Sequence, residues 1–406
     1  MKLRAILLTV LLGGALTYFQ YENARGRFHE AEQWFLDFLV ANARDTFTRN
    51  QPAHSDDVVI VEFREEDKAE FSAWPPAPLD YILALKQLAP HEPEVVVFTT
   101  PMKWSGEQSQ FVKALRELLV PVPSVVFAFD ISMETNKSNA DEADFFASNV
   151  PSFGGSEGGG NPAQHFASVS ALPDKALLPA AHFGFSVAPV NGALPMVATD
   201  GKRLVPSVTA QALTLFRHAP YSEQRLRFGN GARLSLGERF IVPLDESGAL
   251  HLNEKLDVPK INALELMTPD LGDETGKQIS DLLGKQKAVV FTISSTPAGS
   301  AQARALAQAL SLPEVRRLSG GVVWCSAGAA CLLGFLQLRR RRFGALVFGF
   351  ALIVGVLLVS LLVFQSALLW WPPFAALSVA VTSTVFCFLF PNSVNIKNDA
   401  ASLADL

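Results

Sequence analysis

The chain has 406 residues with 34 basic and 39 acidic side chains, and 49% of its residues are hydrophobic. Its mean hydropathy of +0.23 is high for a soluble protein, and the apolar excess sits at the two ends. Between Glu22 and Leu318 lie 27 basic against 37 acidic residues, a balance that repels phosphate backbones and argues against nucleic acid as a partner.

At the amino end, Lys2 and Arg4 precede an apolar run from Ala5 to Phe19. Its length of about 15 residues fits a short membrane anchor over residues 1–21, with Tyr18 and Tyr21 in the interface, or a signal peptide. The only small-x-small candidate for cleavage, Ala15-Leu16-Thr17, is poor, which favours an uncleaved anchor. Either reading exports the residues from Glu22 onward.

Phe28 to Phe47 carries Trp34, Phe35, Phe38, Leu39 and Ala43 at helical spacing, with Glu30, Glu32, Asp37 and Arg44 between them. The pattern predicts an amphipathic helix. Its stripe either packs on the core of the following domain or makes Trp34, Phe35 and Phe38 a contact for the membrane or a partner.

Four short apolar runs come next: Val58 to Phe63, Glu94 to Thr99, Ser124 to Phe129 and Lys287 to Ile293. Their near-continuous hydrophobicity predicts strands of a sheet covered on both faces. Helical segments are expected at Leu79 to Leu88, Gln108 to Leu119, Ser207 to Phe216, around Asp281 to Leu283, and at Ala301 to Leu310. Alternation of this kind predicts an α/β domain over residues 22–318 with a largely parallel or mixed central sheet. His182 to Val187 and Phe240 to Leu244 read as additional or edge strands, Pro243 suiting an edge. Gly154 to Gly160 reads as a surface loop.

The carboxyl end is organised by Arg339, Arg340, Arg341 and Arg342, set between two uncharged runs, Ser319 to Leu338 and Phe343 to Phe390. A span needs about 20 apolar residues, so the runs supply one helix and two. Four transmembrane helices are therefore expected, one at the amino end and three over residues 319–390, ahead of a tail at residues 391–406. Arginines beside span ends stay on the cytoplasmic side, which places the large domain outside the cytoplasm in a multi-pass membrane protein. Gly320, Gly321 and Gly328 in the first of these spans allow close helix approach, within the bundle or to another membrane protein or a second copy.

Motifs of catalysis are weak. Gly272 to Lys277 has only three residues between its glycines and Gln278 where a phosphate loop needs Ser or Thr, so a polar turn is the better account. Gly184-Phe185-Ser186-Val187-Ala188 resembles a nucleophile elbow but runs into Pro189. The cysteines Cys325, Cys331 and Cys387 fall in the expected spans, and the seven histidines have no metal-ligand spacing. No metal or cofactor is expected, and an enzyme is the least favoured class. One constellation stands out, because ligands of parallel sheets bind beyond the carboxyl ends of the strands. There the chain places Arg64, Thr99, Thr100, Asp130, Ser294, Ser295 and Thr296, a set able to receive a small polar or anionic ligand or, equally, to serve as turn and capping residues.

The order of these features resembles the second type of CHASE domain, an extracytoplasmic sensory domain of bacterial membrane receptors. The matching pieces are Val58 to Phe63, the turn Trp74-Pro75-Pro76, the strand Glu94 to Thr99, His182-Phe183-Gly184-Phe185, Thr199-Asp200-Gly201-Lys202-Arg203 with Pro206-Ser207, Lys287 to Ser295, and the spans with Trp370-Trp371-Pro372-Pro373. The chain departs from the family pattern at Thr99 and Thr100, where an acidic residue is usual, and at Ser294 and Ser295, where glycine is. Family receptors continue into a cytoplasmic output domain, whereas 16 residues come after Phe390 here. The resemblance implies a sensor subunit acting through partner proteins without an output module of its own, or a scaffold subunit of an envelope complex that reuses the sensory fold.

Overall fold

The computed structural model describes residues 2–49, 51–134, 148–153, 156–158, 164–237, 239–268 and 274–390. Most of the loop expected at Gly154 to Gly160, the front of Gly272 to Lys277 and the tail after Phe390 lie outside these. Two units are present, Met1–Thr46 with Glu314–Leu406, and Phe47–Pro313.

Helix α1 (Lys2–Ala24) covers the expected anchor and runs three residues past its carboxyl end. It stops at Gly26, whose φ of 75° no helix accommodates. The single helix expected over Phe28 to Phe47 is two, α2 (His29–Asn42) and α3 (Arg44–Arg49), broken at Ala43. The cause is a side chain remote in sequence: the Gln365 amide donates to the Asn42 carbonyl at 3.0 Å, and the Thr46 N–H turns to Ala43 instead.

Within the second unit, β1 (Val58–Phe63), α4 (Pro78–Leu88), β2 (Val95–Phe98), α5 (Val112–Leu119), β3 (Ser124–Ser132), β4 (Ser168–Ala171) and β5 (His182–Ser186) are followed by α6 (Val208–Phe216). Then come β6 (Lys260–Asn262), α7 (Ala263–Met267), α8 (Glu274–Leu283), β7 (Ala288–Ile293) and α9 (Pro297–Leu310). The seven strands form one sheet in the order β6-β1-β7-β2-β3, with β4 and β5 sharing the outer edge of β3. All pairings are parallel except β3 with β4. The expected helix at Gln108 to Leu119 is half 3₁₀, over Gly106–Phe111. Phe240–Pro243 is the outer strand of a separate four-stranded sheet, where the missing proline N–H does no harm.

The two faces of the main sheet differ in kind. On one, Phe291, Phe98, Phe127 and Phe183 occupy matching register on four neighbouring strands, with successive ring centroids 5.1, 5.0 and 6.2 Å apart. Tyr81 of α4 stands edge-on to Phe98 and Phe291. Helix α4 is seated there by Asp80, whose carboxylate accepts from the Ala77 N–H and from both the N–H and hydroxyl of Ser72. The opposite face is lined by small groups because helices approach it closely. A Cβ on Gly184 would lie 2.6 Å from the Ser207 carbonyl carbon and the Val208 nitrogen at the start of α6. That start is fixed by the Ser207 hydroxyl accepting from the Ala210 N–H. The alanine-rich α9 lies on the same face with Gly299 against Thr99 and Thr292, and its buried Gln302 and Gln308 amides donate to the Val187 and His251 carbonyls.

After α9 the chain forms α10 (Gly320–Gln337), α11 (Arg342–Ala367) and α12 (Phe374–Leu389). Phe19 of α1 clusters with Ala327 and Ala375, and the Gln337 amide approaches the Thr384 hydroxyl at 3.5 Å, so α10 and α12 run parallel. The Ser360 hydroxyl donates to the Trp371 carbonyl at 2.9 Å, and Gly349 admits Thr384, so α11 runs opposite to α12. The Arg4 guanidinium donates to the Phe390 carbonyl. The first turn of α1, the end of α10, the start of α11 and the end of α12 therefore share one end of the bundle, and Arg4 lies there with Arg339 to Arg342. Three helices, Leu3–Ala24, Gly320–Gln337 and Arg342–Ala367, are long and apolar enough to cross a membrane. Helix α12 has 16 residues, about 24 Å against a hydrocarbon core of roughly 30 Å.

Gly184→Ala forces backbone against backbone, so it is expected to destabilise the protein by about 1–3 kcal/mol, whereas Gly13→Ala, with open space around it, changes little. Thermal unfolding of the two variants in detergent checks this.

Candidate functional site

The carboxyl ends of β1, β7, β2, β3 and β5 lie side by side, and the expected constellation divides there into groups tied to the chain itself and groups left free. Arg64 is shared between Glu62 at 3.8 Å and Glu66 at 3.5 Å, while Lys260 also meets Glu62 at 3.0 Å. The cation is therefore largely compensated before any ligand arrives. Ser294 sits next to it, its N–H donating to the Phe63 carbonyl and its hydroxyl accepting from the Glu65 N–H at 2.9 Å. Ser295 is exposed, and Thr296 begins α9 without its side chain capping the helix.

Thr99 is 1% exposed, and its hydroxyl donates to the Phe291 carbonyl at 3.0 Å. It holds β2 to β7 beneath Gly299. Thr100 belongs to the other face by strand alternation, and there its side chain bonds to the Tyr81 hydroxyl; burial holds that phenol well above its usual range. The two adjacent threonines thus serve opposite faces of the sheet.

Asp130 is different. It ends the parallel part of β3, in register with Ser186 of β5 and next to the irregularity where β4 takes over pairing. No described residue hydrogen-bonds or ion-pairs with its carboxylate, and partial burial pushes it up to about 6 from the usual 3.8. Ser186 is a buried sheet residue rather than a nucleophile at a strand-to-helix turn. Arg64 and Asp130 are separated by three strand steps, about 14 Å, so one small ion does not reach both. Thr292, missed by sequence reasoning, lies 2% exposed under Gly299, and its hydroxyl has no partner among the described residues. Its signal was only a hydroxyl inside the run Ala288–Ile293.

Among the described residues no three His, Cys, Asp or Glu side chains converge as metal ligands. The remaining residues singled out in the sequence fall in the helical unit. Trp34 is exposed; Phe35 is buried against Trp370 and Phe374. Phe38 stacks on Phe35 at 6.1 Å. Among the described residues, a Cβ on Gly320 or Gly328 would meet no atom within 4 Å beyond its own helix, and one on Gly321 would meet only the Ser319 hydroxyl at 3.9 Å. The glycines that admit neighbouring helices are Gly334, against Ser383, and Gly349, against Thr384. Arg339 to Arg342 are all exposed, Arg340 lying over the Phe348 ring.

The fold is an α/β domain with a largely parallel sheet, carried in one chain with three helices long and apolar enough to cross a membrane. The family model for the CHASE2 domain matches residues 6–362, and the chain belongs to that family of sensory domains. No curated protein matches the chain, and no solved structure does.

Because the folded-state pKa of Asp130 is raised, its proton stabilises the fold, and that contribution is lost as pH rises from about 4 through about 6. Asp130→Asn is expected to raise the melting temperature above the wild-type value at pH 7.5, with the difference shrinking at pH 5 and vanishing below pH 4. Melting curves of both proteins across this range provide the check.

Proposed function

We propose that the protein is a membrane-anchored sensor subunit whose α/β domain lies outside the cytoplasm of a bacterial cell and which acts through partner proteins in the cytoplasmic membrane. The observation that carries this reading is the shared position of Arg4 and Arg339 to Arg342 at one end of the helical bundle. Basic residues flanking spans are retained in the cytoplasm, so all four helices, including the short α12, cross with a consistent sense. Membership in a sensory-domain family supports the same assignment. The open glycine surface of α10, with Gly321, Cys325, Gly328 and Leu332 on one face, supports contact with another membrane helix or a second copy.

The ligand is a small polar molecule that places a hydrogen-bond donor or cationic group on Asp130. The compensation of Arg64 by two glutamates makes an anion bound at that residue the weaker choice. A second reading, a non-sensing scaffold, is favoured by the internal commitments of Thr99, Ser294 and Arg64.

Thermal-shift screening of the full-length protein in detergent, against pools of small polar metabolites at pH 7, separates the two. A sensor shows a saturable rise, worth about 2.7 kcal/mol at a hundredfold excess over Kd, and Asp130→Ala abolishes it. A scaffold shows no shift from any pool while co-purifying with a stoichiometric partner.

A further inference from the structure

Helices α2 and α11 enclose an apolar groove of about 260 Å³ lined by Trp34, Phe35, Phe38, Val354, Leu357, Leu358 and Leu361. Its floor is fixed, because Phe35 packs on the Trp370 and Phe374 rings at 6.1 and 6.2 Å. Its rim is open, with Trp34 67% exposed. At 1.5 Å per residue, Val354 to Leu361 lie about 18 to 29 Å along α11 from Arg342, which is the half of the hydrocarbon remote from the arginine block. The medium that reaches this groove is therefore acyl chain, and an unfilled groove would forfeit the dispersion contacts of its lining.

One end of the groove is polar and built. The Asn42 amide donates to the Phe38 carbonyl at 2.7 Å, the Gln365 amide donates to the Asn42 carbonyl, and the Thr46 hydroxyl donates to the Gln365 carbonyl at 2.8 Å. These bonds clamp the turn between α2 and α3 onto the last turn of α11. Arg44 lies in that turn, half-buried, and its buried Nε has no hydrogen-bond partner among the described residues. A cation at the end of an apolar trough matches one amphiphile in charge and in polarity.

We propose that this groove is a resident lipid site, holding an acyl chain of one phospholipid from the leaflet remote from the arginine block, with the lipid phosphate on Arg44. The site rests on α11 being a membrane span and not on the sensory reading. It couples bilayer composition to the α2–α3 turn.

The test is native mass spectrometry of full-length protein extracted in mild detergent. Wild type is expected to retain a phospholipid adduct. Leu358→Trp with Leu361→Trp, which fill the groove, lower its occupancy at least tenfold, and Arg44→Gln lowers it severalfold. Val385→Trp, an equally apolar change on exposed α12 surface, leaves it unchanged. Equal adducts on the filled and control variants, or none on wild type, would overturn the proposal. Brominated-chain phospholipids give a measurement that needs no repacked groove: they are expected to quench the fluorescence that Trp34→Phe removes, and an unquenched Trp34 overturns the site. Cross-linking of Phe38→Cys between two chains would assign the groove to a second copy instead, and likewise overturns it.

Discussion

A bilayer accepts apolar helices and refuses uncompensated charge, and the three helices of this chain that are long and apolar enough to cross one are arranged in keeping with that rule. Four arginines in succession between two uncharged runs cannot enter the hydrocarbon, so they mark a helix connection and fix one end of the bundle. Arg4, more than three hundred residues away in sequence, is held at the same end through the Phe390 carbonyl. Glycine does the complementary work inside: Gly334 and Gly349 let α12 settle between α10 and α11 through Ser383 and Thr384. Apolar helices attract one another only weakly in lipid, where close packing of this kind is a main source of cohesion.

In the α/β unit the decisive asymmetry is between the faces of one sheet. Large rings fill the space under α4 and α5, while hydrogen, methyl and hydroxyl groups line the face beneath α6 and α9. The close seating of those helices, made possible by Gly184 and Gly299, brings the start of α9 over the strand ends. It also explains why hydroxyls that look available in the sequence differ so much in state. Thr99 is committed to the Phe291 carbonyl, Thr292 is buried without a partner among the described residues, and Asp130, two strands further on, keeps a carboxylate unmatched by charge.

Much of the fold was legible because its signals are local. The valine-rich runs at Val58, Val95, Ser124 and Ala288 became neighbouring parallel strands, and the stops of the helices fell near the expected residues. What sequence alone could not show depends on partners distant along the chain. The break at Ala43 arises from Gln365, and Gly184 is a packing glycine for the start of α6 rather than part of a nucleophile turn. Of the small sheet around Arg233–Leu236 only the edge strand at Phe240–Pro243 was anticipated, because the others are short and lack a long apolar run. Of the strand-end residues, position was predictable from the ends of the apolar runs, but availability was not, since it turns on which carbonyl or carboxylate stands opposite each side chain.

The sensor assignment depends on the α/β domain lying across the membrane from the arginine block. Site-directed labelling with a membrane-impermeant maleimide tests this most directly, in intact cells and in a background where Cys325, Cys331 and Cys387 are replaced. A cysteine at exposed Ser222 should react without permeabilisation, and one at Arg340 should react only after it. Labelling of Arg340→Cys in intact cells, with Ser222→Cys protected, would contradict that placement.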